Sequence, residues 1–182
     1  QDRQNLLGCF IYSGGCGFNV YRYFIGDVMK LSENFTLSEM TKSQTAIRKN
    51  IDNTPTDEHI ENLKYVADNL LQPIRDHFGK PVTVSSGYRS VDLCEAIGSS
   101  SRSQHAKGEA ADFEIGGIDN KELGLWIQDN IEYDQLILEF YNDGDPNSGW
   151  IHCSMVKDRE PRKSTLKAIK NNGQTQYVPW SV

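Results

Sequence analysis

Several features that would place this 182-residue chain in a large protein class are scarce or missing. No apolar run approaches the roughly 20 residues that a membrane-spanning helix requires, so no membrane span is expected. The net charge is −6, whereas binding to nucleic-acid phosphates needs a basic face. We therefore expect no nucleic-acid partner. The sequence also contains no internal repeat, and its length is about that of one domain with a real core.

Cysteine is also sparse. The four residues Cys9, Cys16, Cys94 and Cys153 have no zinc-knuckle spacing and are too few for a disulfide scaffold. Free thiols in a reducing compartment are the expected state. A Cys-His hydrolase using Cys153 or Cys94 is an alternative that the pattern does not favour, because a strand would point Cys153 and its neighbour His152 to opposite faces.

The first 30 residues differ in composition from the rest of the chain. They begin with Gln1 and are rich in glycine and aromatic residues, and the apolar run at residues 6–12 is short for a signal-peptide core and lacks a small-x-small cleavage site. Our hypothesis is that Met29 is the true start. We accordingly divide the chain into an N-terminal extension, residues 1–30, which need not be native coding sequence, and one folded domain, residues 31–182.

A possible metal site is the main chemical signal. Asp112 follows His105 by seven positions, with Gly108 between them, so the two can supply a nitrogen and an oxygen ligand to one ion if the chain doubles back at the glycine. His152 offers a third ligand. Three such ligands and an open water position are typical of catalytic zinc. We predict that one Zn²⁺ ion is bound by His105, Asp112 and His152.

These motifs carry a family resemblance. The pattern Ser-x-His-x-x-Gly-x-Ala-x-Asp at residues 103–112, followed by Trp-x-His at 150–152, resembles the zinc D-alanyl-D-alanine carboxypeptidases and L-alanyl-D-glutamate peptidases that cut bacterial cell-wall peptides. More distantly it resembles the Hedgehog signalling domain, which shares their fold. The segment at 85–90 is similar to the family's upstream Ser-Gly-Tyr-Arg-Ser. The resemblance runs from about Phe35 to about Trp180 and is closest to short, phage-type single-domain members.

The pattern of helix signals predicts three helical regions. Thr54 is the expected N-cap of a long helix that carries an apolar stripe from Ile60 to Phe78, is kinked at Pro73 and ends at Gly79. A short helix is expected to start at Ser90 and to bury Leu93, Cys94 and Ile97. A capping signal at Asp119 begins a third helix.

Strand signals complete the fold prediction. Strands are expected at residues 82–85, 110–115, 133–140 and 150–156, the last two forming an antiparallel hairpin with a long loop, and Asn172-Gly173 predicts a further hairpin. The charged stretch 157–163 is expected to be solvated and without chemistry. The predicted fold class is α+β: a small antiparallel sheet with helices packed on one side, as in the Hedgehog/DD-peptidase fold.

Glu139 is the catalytic candidate. It shares a strand face with Ile137, while Leu136, Leu138 and Phe140 form an opposite, core-like face. Some relatives place an acid three residues before the last histidine, but this chain has Gly149 there, and the resemblance implies instead that Glu139 matches the strand-borne glutamate of other members. The loop acids Asp143 and Asp145 are alternatives, as is an exposed edge-strand role for Glu139.

Two further residues are predicted to bind substrate. The planar guanidinium of Arg89 can hold a carboxylate through two parallel hydrogen bonds, and the resemblance favours that role over a surface turn. Ser103 is a candidate for hydrogen-bonding the substrate or orienting the metal loop.

The resemblance implies a zinc metallopeptidase that cuts peptidoglycan stem peptides or crosslinks, as a carboxypeptidase or an endolysin-type endopeptidase. The expected partner is that peptide substrate, and the expected state is a monomer. Without a convincing signal peptide the protein would be cytoplasmic until released to the cell wall, as for a phage lysin, or periplasmic or extracellular if the N-terminus is incomplete. An inactive, zinc-stabilised binding module is the alternative.

Overall fold

A computed structural model describes residues 28–180 of the chain. The predicted N-terminal extension, with its short apolar run, lies almost entirely outside these residues. Among residues 28–180, no helix is both long enough and apolar enough to cross a bilayer.

The helical part of the chain begins with two short helices, α1 (Leu37–Thr41) and α2 (Gln44–Lys49), followed by the longer α3 (Asp57–Val66). The N-cap of α3 is Thr56, whose side chain accepts the His59 amide, and not Thr54 as predicted. Thr54 stands outside the helix, in a local turn in which its amide donates to Asp52 Oδ1. The helix therefore begins two residues later than the sequence suggested.

The predicted interruption at Pro73 takes the form of a π-helical turn, Ala67–Leu71, between α3 and α4 (Gln72–Phe78). The Gln72 amide donates to the Ala67 carbonyl in the wider π pattern. Proline has no amide hydrogen to continue a regular ladder, and such a turn is one way to accommodate the loss. Gly79 ends α4 in the left-handed conformation, as predicted, with φ +62°.

The long helical stripe forms the centre of the hydrophobic core. Leu63, Leu70, Leu71 and Ile74 are fully buried, which confirms the predicted apolar face. They pack with side chains of the sheet and of α6 (Asn120–Asn130), which begins at the predicted N-cap Asp119. In the chain, α5 (Val91–Ala96) and a 3₁₀ turn, Gln104–Lys107, come after α4 and before α6. In α5, Leu93 and Cys94 are buried as predicted, but Ile97 is 44% exposed because the helix ends at Ala96 and leaves Ile97 facing a cleft.

Six strands form one sheet in the order β1-β2-β4-β3-β5-β6. Their bounds are β1 Val82–Ser86, β2 Ala110–Ile115, β3 Gln135–Glu139, β4 Trp150–Ser154, β5 Ser164–Asn171 and β6 Gln174–Pro179. The two predicted hairpins, β3/β4 and β5/β6, are confirmed. The sheet is mixed and not purely antiparallel as predicted, because β5 pairs with β3 in parallel.

The parallel pair has a local physical cause. After β4 the chain crosses to the free edge of β3, where the Asp134 carboxylate binds the Arg162 amide and the Asp134 carbonyl accepts the Ser164 amide. Both contacts align the start of β5 with the start of β3. They join residues about 30 positions apart, so no local sequence pattern signals them.

The sheet separates a core from a polar face. Leu136, Leu138, Ile151 and Cys153 are buried on the core face, against which α3 and α6 pack, as strand alternation predicted. Phe140 does not lie on the core face that the alternation predicted for it. Its φ of +51° ends the strand pattern, and its ring lies beside Trp150. The opposite face is bordered by the 3₁₀ turn, which packs against β2.

Candidate metal centre

Strand register and one tight turn bring three predicted ligands together. Asp112 on β2 and His152 on β4 are directly paired in the antiparallel ladder. His105 lies in the 3₁₀ turn, which reverses at Gly108 with φ +71°, so the predicted doubling back is present. A Cβ at Gly108 would lie 2.5 Å from the His59 carbonyl oxygen, and this close approach requires glycine.

The geometry of the three side chains suits a small cation. The His105 Nε2 atom lies 3.2 Å from both Asp112 Oδ1 and His152 Nδ1, and the last two atoms are 2.8 Å apart. Ligand atoms about 2.0–2.1 Å from a tetrahedral zinc ion stand about 3.3 Å from one another. All three residues are buried. The three donor atoms are therefore close to the spacing that tetrahedral coordination requires.

The protonation state of His105 also favours a bound cation. Its Nδ1 lies 2.6 Å from the Gly87 carbonyl oxygen, which can only accept, so Nδ1 carries the hydrogen and Nε2 presents a lone pair. Burial lowers the pKa of His105, and the attraction of Asp112 opposes this only in part. A neutral imidazole nitrogen thus faces a carboxylate oxygen. This is an acceptor-acceptor contact that a bound cation would relieve.

Asp112 is held as a carboxylate. Burial alone would raise its pKa, but the contacts of the carboxylate with the polar groups around it, His105 and His152, outweigh burial and keep the pKa well below the usual range. Its second oxygen, Oδ2, accepts a hydrogen bond from Arg89 Nη2, while Arg89 Nε donates to Ser86 Oγ at 2.7 Å. Arg89 therefore lies directly against a metal-site residue and orients it.

The three residues lie in a cleft of about 780 Å³ on the polar face of the sheet. Its wall includes Ile97, Gln104, Ile137 and Tyr177, together with the predicted substrate-binding residues Arg89 and Ser103. The Ser103 hydroxyl caps the 3₁₀ turn by accepting the His105 amide at 3.3 Å. This cleft is large enough for a peptide of several residues.

Glu139 is also part of the cleft wall. It ends β3 directly opposite Trp150, two residues from His152 on the neighbouring strand. Burial raises the pKa of Glu139 and the charge of Asp112 adds to the rise, while His152 and Arg89 act in the opposite direction. A carboxylate with a raised pKa close to a metal group has the properties of a general base.

The alternative acids lie elsewhere. Asp143 has a side chain that is 73% exposed and faces the ammonium groups of Lys121 and Lys167 at 3.8 and 3.6 Å. Asp145 accepts the Asn147 amide in an exposed turn. Neither residue borders the cleft.

The buried thiols do not reach the cleft either. Cys153 is fully buried on the core face, and burial raises its pKa far above the ordinary range. Cys94 is fully buried as well, and burial also raises its pKa. Neither thiol borders the cleft, so neither provides the exposed thiolate that a Cys-His hydrolase would need.

The sequence interpretation missed the contribution of the C-terminal segment to the cleft. Arg162 borders the cleft and binds the fully buried Asp134 together with Arg159, although the stretch 157–163 was expected to be merely solvated. An isolated aspartate before a strand and two arginines in a charged loop have no local spacing that links them. Only the strand crossing brings them together.

A comparison with protein-family models finds one described as Peptidase M15, which matches residues 33–154. The match covers more than half of the chain. It contains the three metal-site residues, Arg89 and Glu139, and it ends before β5 and β6. No curated protein matches the chain.

Proposed function

The chain belongs to the Peptidase M15 family, and we propose that it is a zinc metallopeptidase that hydrolyses peptide bonds in bacterial peptidoglycan. Family membership implies a hydrolase. The observation that carries the zinc assignment is the buried group of His105, Asp112 and His152, whose donor atoms converge at the base of a peptide-sized cleft.

We propose that His105 Nε2, Asp112 Oδ1 and His152 Nδ1 hold one Zn²⁺ ion. A zinc ion in such a site supplies a Lewis acid that polarises the scissile carbonyl and lowers the pKa of a water molecule toward about 7. The protein contributes the orientation of the ligands. Gly87 fixes the tautomer of His105 and Arg89 fixes the carboxylate of Asp112, which are the outer contacts that such sites use.

Glu139 is the proposed general base. Its carboxylate takes a proton from the attacking water and returns it to the leaving amine. Its place in the cleft wall and its raised pKa support this role. The exposed positions of Asp143 and Asp145 outside the cleft make them poorer candidates.

The substrate assignment rests on the family and on the character of the cleft. By resemblance, the substrate is a stem peptide or crosslink, and the setting is phage lysis or wall remodelling. Arg89 is the proposed contact to a substrate carboxylate, since it borders the cleft while still holding Asp112. Ser103 is the second proposed contact.

The test is digestion of purified bacterial peptidoglycan by the purified protein, with and without a zinc chelator, followed by mass analysis of the released fragments. Chelator-sensitive products that return when zinc is restored would support the proposal, and their masses would identify the bond that is cut. One equivalent of bound zinc with no products would instead favour the binding-module alternative.

A further inference from the structure

Asp134 is the centre of an ionic network next to the cleft. Its carboxylate is fully buried and accepts Arg159 Nη1 and Nη2 at 2.7 and 3.0 Å, and Arg162 Nε and Nη2 at 2.9 and 2.5 Å. The Gln104 amide nitrogen donates to it at 3.1 Å. Burial opposes ionisation, but the two arginines hold the pKa of Asp134 well below the ordinary range. Both guanidiniums are therefore fixed by one buried anion.

The two arginines differ in what they face. Arg162 borders the cleft and Arg159 does not, although their side chains are similarly exposed, at 50% and 46%. The Arg162 guanidinium is also held by Gln104 Oε1 at 3.0 Å. Its Nη1 has no hydrogen-bond partner among residues 28–180. Arg162 thus places in the cleft wall a guanidinium that is already held by two side chains, Asp134 and Gln104, and that keeps Nη1 as an unused donor.

The charge balance at this end of the cleft favours an anion. Asp134 offsets one of the two arginines that bind it, and the acids that border the cleft, Asp112 and Glu139, lie at the metal group. Arg102, two residues before Gln104, does border the cleft and adds a positive charge. A guanidinium that is already positioned forms strong, charge-assisted hydrogen bonds with a carboxylate.

Strand register gives the distance from the metal group. Ile137 pairs with His152, and Gln135, two residues back on β3, pairs with Ser164 at the start of β5. Arg162 precedes Ser164 by a further two residues and is bound to Asp134, which is three residues from Ile137. Three strand residues span about 10 Å, so a peptide extended along the cleft would present to Arg162 a group about three residues from the bond at the metal site.

We propose that Arg162 forms an anion-binding subsite that recognises a carboxylate of the peptide substrate about three residues from the scissile bond. The proposal rests on the proposed peptidase function. Arg162 lies outside the matched range 33–154, so this subsite belongs to the C-terminal segment and was not part of the sequence prediction. Arg159 provides a matched control because it binds the same aspartate without facing the cleft.

The experiment measures peptide binding by calorimetry to the zinc-loaded full chain carrying Glu139→Gln, so that the probe is not consumed. The probe is the synthetic peptide L-Ala-γ-D-Glu-L-Lys-D-Ala-D-Ala, used as it is and with its D-glutamate or its C-terminal carboxylate converted to a carboxamide. Each peptide is titrated into the parent protein and into Arg162→Gln, Arg162→Lys and Arg159→Gln. Thermal melts confirm folding, and the Lys variant serves if the Gln variant does not fold.

We expect one of the two carboxamides to bind the parent protein about tenfold more weakly than the free acid. Arg162→Gln should reduce that ratio to less than twofold, Arg162→Lys should reduce it partly, and Arg159→Gln should leave it unchanged. Equal binding of acid and amides by the parent, an unchanged ratio in Arg162→Gln, or an equal loss in Arg159→Gln would overturn the subsite while leaving the peptidase intact. No binding of any peptide, with no cleavage by the protein that retains Glu139, would reject the proposed substrate class itself.

Discussion

Gly149 lies directly against the backbone carbonyl of Glu139, with φ +67°, so that a Cβ at position 149 would overlap that oxygen. The same Cβ would lie 2.8 Å from the Tyr141 amide nitrogen. Position 149 is three residues before His152, where some relatives carry an acid. The close return of the β3/β4 loop leaves no room for one here. The end of β3 that blocks position 149 also carries Glu139. We propose that Glu139 takes the role of the acid that some relatives carry at that position.

The first prediction concerns this contact. Gly149→Ala combines a left-handed backbone, which costs about 1 kcal/mol or more for alanine, with overlap against backbone atoms, so we expect a loss of at least about 2 kcal/mol in the free energy of unfolding. Urea denaturation measures it. Gly144→Ala is the control, because Gly144 also has positive φ, +93°, but nothing within 4 Å of its Cβ position. Equal losses in the two variants would show that the contact is not important.

The second prediction uses the buried anion. Asp134→Asn removes the charge that pairs two arginines, so we expect a loss of about 3 kcal/mol at pH 7. In the folded protein the pKa of Asp134 lies below the ordinary aspartate value of 3.8. The stability that ionised Asp134 contributes is therefore fully present at a pH above its pKa in the unfolded chain. It is lost as the pH falls through its pKa in the folded protein.

The difference in unfolding free energy between wild type and Asp134→Asn should accordingly narrow as pH falls below about 4. Urea denaturation at pH 7, 5 and 3 measures the trend. A difference that stays constant with pH would argue that Asp134 acts through packing and not through its charge.

The third prediction concerns Arg89. Because Arg89 holds Asp112 Oδ2, replacing it with glutamine should weaken zinc binding by about 10 to 100-fold. Competition with a chelating dye measures the zinc Kd. Arg102→Gln is the control, since Arg102 borders the same cleft without a hydrogen bond to the metal group. An unchanged zinc Kd with a raised KM would mean that Arg89 acts on the substrate alone.

The fourth prediction concerns the protonation of Glu139. Burial raises its pKa above the ordinary 4.5, and a nearby dication should lower it again. Carboxyl NMR of the metal-free protein should show Glu139 titrating above 4.5, and zinc loading should move the midpoint down, toward the ionised form that a base requires. A midpoint that zinc does not change would place Glu139 outside the influence of the metal site.

Features set by short spacings were predictable from the sequence. The helical stripe around Leu63 follows a period near 3.6, and the opposite faces of Cys153 and His152 follow a period of two. The reversal at Gly108 is a local conformational requirement. Two ligands of the metal group could be paired from the sequence because the reversal at Gly108 brings His105 back toward Asp112 on the strand that follows.

Features set by distant contacts were not predictable. The parallel pairing of β5 depends on Asp134 meeting Arg162 across 28 positions, and the departure of Phe140 from alternation depends on how the β3/β4 loop returns. Each outcome is a competition between partners whose winner is decided by tertiary structure.

The most direct test of the account is to measure zinc content and peptidoglycan cleavage together in Glu139→Gln, with Asp143→Asn and Asp145→Asn as matched controls. We predict that Glu139→Gln retains one zinc per chain and loses about 10² to 10⁴-fold in rate, while both loop variants keep zinc and activity. An unchanged rate in Glu139→Gln, or a comparable loss in either loop variant, would contradict the assignment of Glu139 as the base.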